Sequence, residues 1–194
     1  SSGLSAIIHA NRAIRSGDGD VFISGGIENM TRAPYVVGKP STGFGGDSKM
    51  HDSTFGWRFV NPKMQQLFGT DEMGTTAENL VDKYNISRED QDQFAYWSQM
   101  KATKAQNNGR LAKEIIPVEI PQRKKDAIQF SKDEFVKPAS SKEILAKLRP
   151  AFKKEGGTVT AGNSSGINDG AVATIIASEE AVKKYNLIPM ARIV

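Results

Sequence analysis

Two apolar segments near opposite ends of the chain most constrain how it can fold. Val21-Phe22-Ile23 leads into Gly25-Gly26, and the run from Ala171 to Ala177 is small and β-branched. Each segment lies next to a helical pattern, and short apolar runs beside helices are typical of buried strands in α/β proteins. We therefore predict an α/β core that the chain leaves after the first strand and rejoins before the last.

The helical patterns beside these strands have recognisable ends. Residues 4–15 place their large apolar side chains on one helical face, and Gly17-Asp18-Gly19 predicts the end of that helix. Ser178-Glu179-Glu180 predicts the start of another helix, which runs through Tyr185. Residues 191–194 are predicted to begin a further strand.

The middle of the chain has a different composition. Residues 32 to about 70 are rich in Gly, Pro and Ser without periodicity, which predicts an irregular segment with packed aromatic residues such as Trp57. A capping box from Thr75 to Glu78 predicts a short helix, and Ser87 predicts the start of a longer one. Two further elements are predicted, an edge strand over 115–120 and a helix over 142–148.

The composition excludes several classes of protein. Hydrophobic residues make up 38% and charged residues 25%, as in soluble globular domains. No apolar run approaches the roughly 20 residues that span a bilayer, and residues 1–4 do not resemble a signal peptide. The net charge of +4 is dispersed rather than arranged as a basic stripe. We expect a cytoplasmic protein that binds small anionic substrates and neither membrane nor nucleic acid.

Metal and disulfide chemistry are also disfavoured. The chain contains no cysteine and two histidines. The chain can therefore form neither a disulfide nor a thiolate metal site, and a histidine-rich metal site is not expected.

The first residues carry the most specific motif. Ser1-Ser2-Gly3-Leu4, followed by Ala6, Ile7 and Ile14, resembles the active-site signature of the thiolases. In that family the nucleophilic cysteine stands immediately before the residue that corresponds to Ser1. A cysteine at a helix N-terminus lies at the positive end of the helix dipole, which favours the thiolate. Taken alone, the segment is equally compatible with a plain amphipathic helix.

Four more segments resemble the same family, in its order and at about its spacing. They are Ser24-Gly25-Gly26-Ile27-Glu28-Asn29-Met30-Thr31, Met73-Gly74-Thr75-Thr76-Ala77-Glu78-Asn79, Ser87-Arg88-Glu89-Asp90-Gln91-Asp92 and the stretch from Gly157 to Gly170. The resemblance thus covers the whole chain. It implies an α/β thiolase fold, in which a layered αβαβα core carries an inserted loop-rich α+β domain. Residues 1–31 and 167–194 would be part of the N-terminal core, and 32–166 the inserted loop domain that covers coenzyme A.

The resemblance also implies an activity. Thiolases cleave 3-oxoacyl-CoA with CoA to acetyl-CoA and a shortened acyl-CoA, or catalyse the reverse Claisen condensation. The family uses one cysteine as nucleophile, a histidine, and a second cysteine that transfers protons. The matching positions lie outside this chain, so no catalytic residue is assigned and the chain alone is expected to be inactive. CoA would be a substrate, with no metal or redox cofactor.

Assembly and substrate preference are expected from the same resemblance. The full-length protein would be a homo-oligomer, either a dimer or a tetramer. Residues 55–62 resemble the family members that act on 3-oxoadipyl-CoA during degradation of aromatic compounds. A non-catalytic acyl-CoA-binding module derived from a thiolase, or a structural role in an oligomer, remains an alternative.

The resemblance assigns CoA contacts to seven residues of the loop domain. Small residues would form a slot for the pantetheine arm, Met73 and Phe152 would supply apolar contacts, and Lys137 would meet a phosphate. Core packing is an alternative for Phe152, and a solvated charge cluster for Arg123 and Lys124, which could also meet phosphates. The assigned residues are Met73, Lys137, Phe152, Ala161, Ser164, Ser165 and Gly166.

Overall fold

The computed structural model describes residues 2–194; Ser1, the first residue of the predicted active-site signature, lies outside them. Helices α1 to α6 span Ser2–Ser16, Pro62–Phe68, Met73–Tyr84, Arg88–Asn107, Lys142–Ala146 and Glu179–Lys184. Strands β1 to β6 span Val21–Glu28, Tyr35–Val37, Met50–Asp52, Val118–Ile120, Ile128–Phe130 and Gly170–Ala177. Two short 3-10 helices cover Met30–Arg32 and Leu111–Lys113.

The chain divides into two compact units. The first comprises the residues up to Val36 together with Ile167–Val194, and the second comprises Val37–Gly166. The first unit therefore contains both ends of the described chain. None of the helices among residues 2–194 is both long and apolar enough to cross a membrane.

An antiparallel pair of strands, β1 and β6, forms the centre of the first unit. Its register runs from Val21 opposite Ala177 to Glu28 opposite Gly170. Strand β1 is longer than predicted, because it continues through Gly25 and Gly26 instead of ending there. A side chain at Gly25 would collide with the backbone carbonyl of Val172, so glycine permits this close pairing.

Helix α6 begins as the sequence predicts. Ser178 is its N-cap, and the Ser178 hydroxyl oxygen accepts a hydrogen bond from the Ala181 amide at 3.0 Å. The same hydroxyl donates to the Asp20 carboxylate at 2.9 Å, just before β1. The cap thus joins the start of α6 to the start of β1.

One face of the β1–β6 pair is uncovered. Ile23 and Ile27 are each 81% exposed, and Ile175, which pairs with Ile23, is exposed as well. The prediction that residues 171–177 form a buried strand is right about the strand and wrong about its burial. No element among residues 2–194 packs on this face, and residues 191–194 form no strand.

A polar contact joins the segment after β1 to the segment before β6. The Thr31 amide donates to Asp169 at 3.0 Å, and the Thr31 hydroxyl donates to the other carboxylate oxygen at 2.6 Å. These hydrogen bonds favour the ionised carboxylate and hold the pKa of Asp169 below its usual value. The contact therefore stabilises the first unit at pH values above the ordinary pKa of aspartate. This stabilisation is lost as the pH falls through the lowered pKa of Asp169.

The second unit contains the longest helix. Helix α4 is capped as predicted by Ser87, whose hydroxyl accepts from the Asp90 amide at 3.0 Å. It ends at Asn107. The edge strand predicted over 115–120 is the shorter β4, which pairs with β5 in an exposed hairpin. The helix predicted over 142–148 is the shorter α5.

Two predictions for the segment from 32 to about 70 need correction. Helix α2 interrupts the segment predicted to be irregular; Asn61 caps it and Pro62 occupies its first turn, a signal present in the sequence. The aromatic residues Phe55 and Trp57 are more than half exposed and not packed as predicted, whereas the Phe59 ring packs edge-on against His51.

The Thr31–Asp169 contact can be tested by titration. Thr31→Val removes the shorter of the two hydrogen bonds and leaves the amide donor in place. We expect the pKa of Asp169 to rise toward about 3.9, the ordinary aspartate value. NMR titration of the Asp169 carboxyl group measures the change, and an unchanged pKa would show that the hydroxyl contributes nothing.

Candidate functional site

A cavity of about 350 Å³ lies within the second unit. Its apolar side is supplied largely by α5 and the residues after it, and polar groups come from α4 and two loops. It is lined by Gln99, Phe135, Lys137, Ala139, Ser140, Ile144, Leu145, Leu148, Ala161, Gly162 and Ser164. This combination of apolar lining and few polar groups is typical of small-molecule sites.

Three of the predicted CoA contacts meet at this cavity: Lys137, Ala161 and Ser164. Gly166 lies at its edge, because the ring of the lining residue Phe135 occupies the space that a Gly166 side chain would need. Ser165 is exposed and is not among the lining residues.

The other two predicted contacts lie elsewhere in the second unit. The Phe152 ring packs against Gly74 of α3, where a side chain on Gly74 would collide with it. Met73, beside Gly74, is 83% exposed. Neither residue lines the cavity, and neither do Arg123 and Lys124.

Lys137 is held by the loop that carries it. Its ammonium nitrogen Nζ donates to the Glu134 carbonyl at 2.9 Å and lies 5.9 Å from the centre of the Phe135 ring. Its backbone amide donates to the side chain of Gln99 at 2.8 Å, which ties the loop to α4. The side chain is exposed and forms no ion pair among residues 2–194, so its charge is available to an anion.

Most of the apolar lining residues are not among the contacts predicted from the sequence. Ile144 and Leu148 stand four residues apart across the end of α5, a spacing that places them on one helical face. Leu145 is 4% exposed. The spacing was visible in the sequence, but the surface that this face meets was not.

The buried carboxylate of Glu78 holds the start of the segment that leads to the loop residues of the cavity, at Thr158 and Val159. Glu78 is 2% exposed and accepts hydrogen bonds from the amides of Thr158 at 2.9 Å and Val159 at 2.8 Å, and from the Thr158 hydroxyl at 3.1 Å. The predicted Thr75–Glu78 capping box is therefore wrong: α3 begins at Met73, after Glu72. A buried carboxylate needs several donors, and the returning chain supplies them.

The segment that follows Val159 forms a tight turn. The Thr160 amide donates to the Asn163 side-chain oxygen at 2.7 Å, and the Ser164 hydroxyl donates to the Thr160 carbonyl at 2.6 Å. Leu145 and Leu148 occupy the space that a side chain at Gly162 would fill. Glycine at 162 thus lets the turn approach α5 closely, as the predicted slot requires.

A second cavity, of about 500 Å³, lies in the first unit. The first residues of α1 line it with parts of β1 and β6. Ser24 is 4% exposed, and its hydroxyl oxygen has no hydrogen-bond partner among residues 2–194. The cavity thus combines the N-terminal end of a helix and an unpaired hydroxyl with two carboxylate residues, Glu28 and Asp169.

Comparison with known proteins agrees with the pattern of motifs. A family model described as "Thiolase, N-terminal domain" matches residues 1–180. This chain belongs to the thiolase family. It is 51% identical over 193 residues to the beta-ketoadipyl-CoA thiolase of Acinetobacter baylyi, covering 100% of this chain and 48% of that protein. The "3-oxoadipyl-CoA/3-oxo-5,6-dehydrosuberyl-CoA thiolase" of Escherichia coli is 50% identical, with the same coverage.

Solved thiolase structures share the fold. The chain superposes on human mitochondrial 3-ketoacyl-CoA thiolase with a TM-score of 0.82 and 40% identity, covering 97% of this chain and 46% of that one. An acetyl-CoA acetyltransferase from Syntrophomonas wolfei gives 0.83 and 39%, with the same coverage. The chain has an α/β thiolase fold and spans about half the length of these relatives.

Glu78 gives a direct test of how the returning segment is held. Glu78→Ala would leave two backbone amides and a hydroxyl without their acceptor, each costing about 1–3 kcal/mol. We expect a large fall in the free energy of unfolding for Glu78→Ala and a smaller one for Glu78→Gln, which retains one acceptor oxygen. Urea denaturation of the full-length protein measures both, with Glu155→Ala, at an exposed position, as the control. Equal stability of Glu78→Ala and the control would contradict the structure.

Proposed function

We propose that this chain is part of a thiolase that cleaves 3-oxoacyl-CoA with CoA, or runs the reverse condensation. Membership of the family and identities near 50% to proteins named as 3-oxoadipyl-CoA thiolases support this reaction. The substrate we favour is 3-oxoadipyl-CoA, on the basis of those names and of residues 55–62. The chain has no cysteine, so by itself it is expected to have no thiolase activity.

The observation that carries the binding part of this proposal is the convergence of Lys137, Ala161 and Ser164 on one cavity. Lys137 comes from one segment and Ala161 and Ser164 from another, and their common cavity has apolar sides against which the chain of a pantetheine arm can pack. Lys137 offers a point charge suited to a phosphate. We propose that this cavity holds part of CoA, with Gly166 and Phe135 at its edge.

The division of the molecule is part of the proposal. Residues 1–31 and 167–194 would belong to the partial N-terminal core, and 32–166 to the inserted domain over CoA. Met73, Phe152 and Ser165 stay predicted contacts with parts of CoA outside the cavity. The full-length protein would be a cytoplasmic homo-oligomer that uses CoA as a substrate and requires no metal or redox cofactor.

The cavity can be tested by filling it. Ala161 is exposed on the cavity surface, so Ala161→Leu adds volume there without opening the core. In the full-length protein we expect the Kd for CoA and the KM for 3-oxoadipyl-CoA to rise at least about tenfold, which corresponds to about 1.4 kcal/mol. Calorimetry and steady-state thiolysis measure the two quantities.

The matched control is Ala112→Leu, the same change at an exposed position of the second unit outside the cavity. It should leave both constants near those of the unmodified protein. Equal effects of the two variants would contradict the assignment of the cavity. Tight CoA binding without thiolysis by the unmodified full-length protein would instead favour the non-catalytic binding module.

Lys137 should act through its charge. Lys137→Ala is expected to weaken CoA binding more at low salt than at high salt, because an exposed contact between ammonium and phosphate is screened by ions. Binding measured at two ionic strengths checks this, with Lys113→Ala as a control at an exposed lysine outside the cavity. A loss that does not depend on salt would indicate that the aliphatic stem of Lys137 contributes packing instead.

A further inference from the structure

The cavity of the second unit lies between two surfaces that the sequence supplies separately. The α5 wall consists of Ile144, Leu145 and Leu148, and the loop wall consists of Ala161, Gly162 and Ser164. The two walls contact each other where Gly162 of the loop wall approaches the side chains of Leu145 and Leu148. The separation of these walls decides how thick a molecule the cavity can accept.

Arg88, in the first turn of α4, binds the backbone of the α5 wall. Its guanidinium nitrogen Nη2 donates to the Leu145 carbonyl at 2.7 Å and to the Leu148 carbonyl at 3.0 Å. The Leu145 carbonyl lies in the last turn of α5 and also accepts from the Leu148 amide at 3.0 Å, and the Leu148 carbonyl lies just beyond the helix. The arginine therefore fixes the end of α5 by its backbone rather than by side-chain packing.

Asp92, one turn later on α4, connects this arginine to the loop wall. One of its carboxylate oxygens accepts from Arg88 Nε at 2.8 Å, and the other accepts from the Asn163 side-chain amide at 3.0 Å. Asp92 is 5% exposed. Asn163 stands between Gly162 and Ser164, and its amide also donates to the Thr158 carbonyl at 3.0 Å.

A continuous chain of hydrogen bonds therefore runs from one wall to the other through Arg88, Asp92 and Asn163. The link is mostly shielded from water, and an Arg–carboxylate contact in such a place is stronger and more directional than one at the surface. Of these three residues none lines the cavity. They can affect a bound molecule only through the positions of the two walls that they hold.

We propose that Arg88, Asp92 and Asn163 are positioning residues that fix the width of the cavity and thereby its affinity for CoA. This inference rests on the proposed function, because it takes the cavity to be a CoA site. The three residues touch no reacting atom, so their loss should weaken binding without slowing the chemical step. A purely structural role would lower stability and leave the affinity of the folded protein unchanged.

Two variants of the full-length protein separate these roles. Asp92→Asn keeps the shape of the side chain and removes the charge that Arg88 requires. Arg88→Lys keeps a positive charge, but a single ammonium lacks the planar fork that reaches Asp92 and both carbonyls together. We expect the Kd for CoA and the KM for the acyl-CoA substrate to rise about tenfold in Asp92→Asn and several-fold in Arg88→Lys, with kcat within about twofold of the unmodified enzyme.

The control is Ser178→Ala, which removes the cap of α6 in the other unit and should cost about 1 kcal/mol of stability. It is expected to lower the melting temperature and leave the Kd for CoA unchanged. All affinities are measured by calorimetry well below the melting temperatures, so that each variant is folded. Should Asp92→Asn fail to fold, Arg88→Lys decides the outcome, since it preserves the buried charge pair.

The possible failures are distinguishable. If the unmodified full-length protein does not bind CoA, the proposed function is wrong and the positioning role with it. If it binds CoA and the folded variants bind with the same Kd, the positioning role alone is overturned. A fall in kcat with unchanged KM would also overturn it, because that result would place these residues in the chemical step.

Discussion

The second unit depends on two buried carboxylates, Glu78 and Asp92. Both are almost fully excluded from water, at 2% and 5% exposure. Each is satisfied by groups from the returning segment near residue 160: backbone amides for Glu78 and the Asn163 side chain for Asp92. A buried charge without donors is costly, so these contacts make the position of that segment specific as well as stable. The cavity exists because the segment is held close to α5.

The first unit shows the opposite situation. Its strands pair fully and α1 packs against them, yet Ile23, Ile27 and Ile175 on one face are largely exposed. A contiguous exposed apolar surface of this kind is typical of an interaction site or of a surface prone to aggregation. The solved thiolases are about twice as long as this chain, and the chain aligns with less than half of each.

The two cavities differ in the groups that they offer to a ligand. The cavity of the second unit has apolar sides and the ammonium group of Lys137, which the Glu134 carbonyl holds in place. The cavity of the first unit lies at the N-terminal end of α1, where helix amides favour negative charge, but the carboxylate residues Glu28 and Asp169 line it as well.

The sequence by itself determined the family, the α/β class, the helix starts at Ser87 and Ser178, and the strands near the two ends of the chain, because caps, apolar periods and ordered motifs are local signals. It did not determine which residues meet. Glu78 fits a capping box equally well in sequence, but three donors distant in the chain bind it in the fold. Strand β6 has the composition of a buried strand, yet most of it is exposed. Only the tertiary structure placed Lys137, Ala161 and Ser164 at one cavity and left Met73 and Phe152 outside it, because cavities arise from contacts between segments that no local pattern encodes.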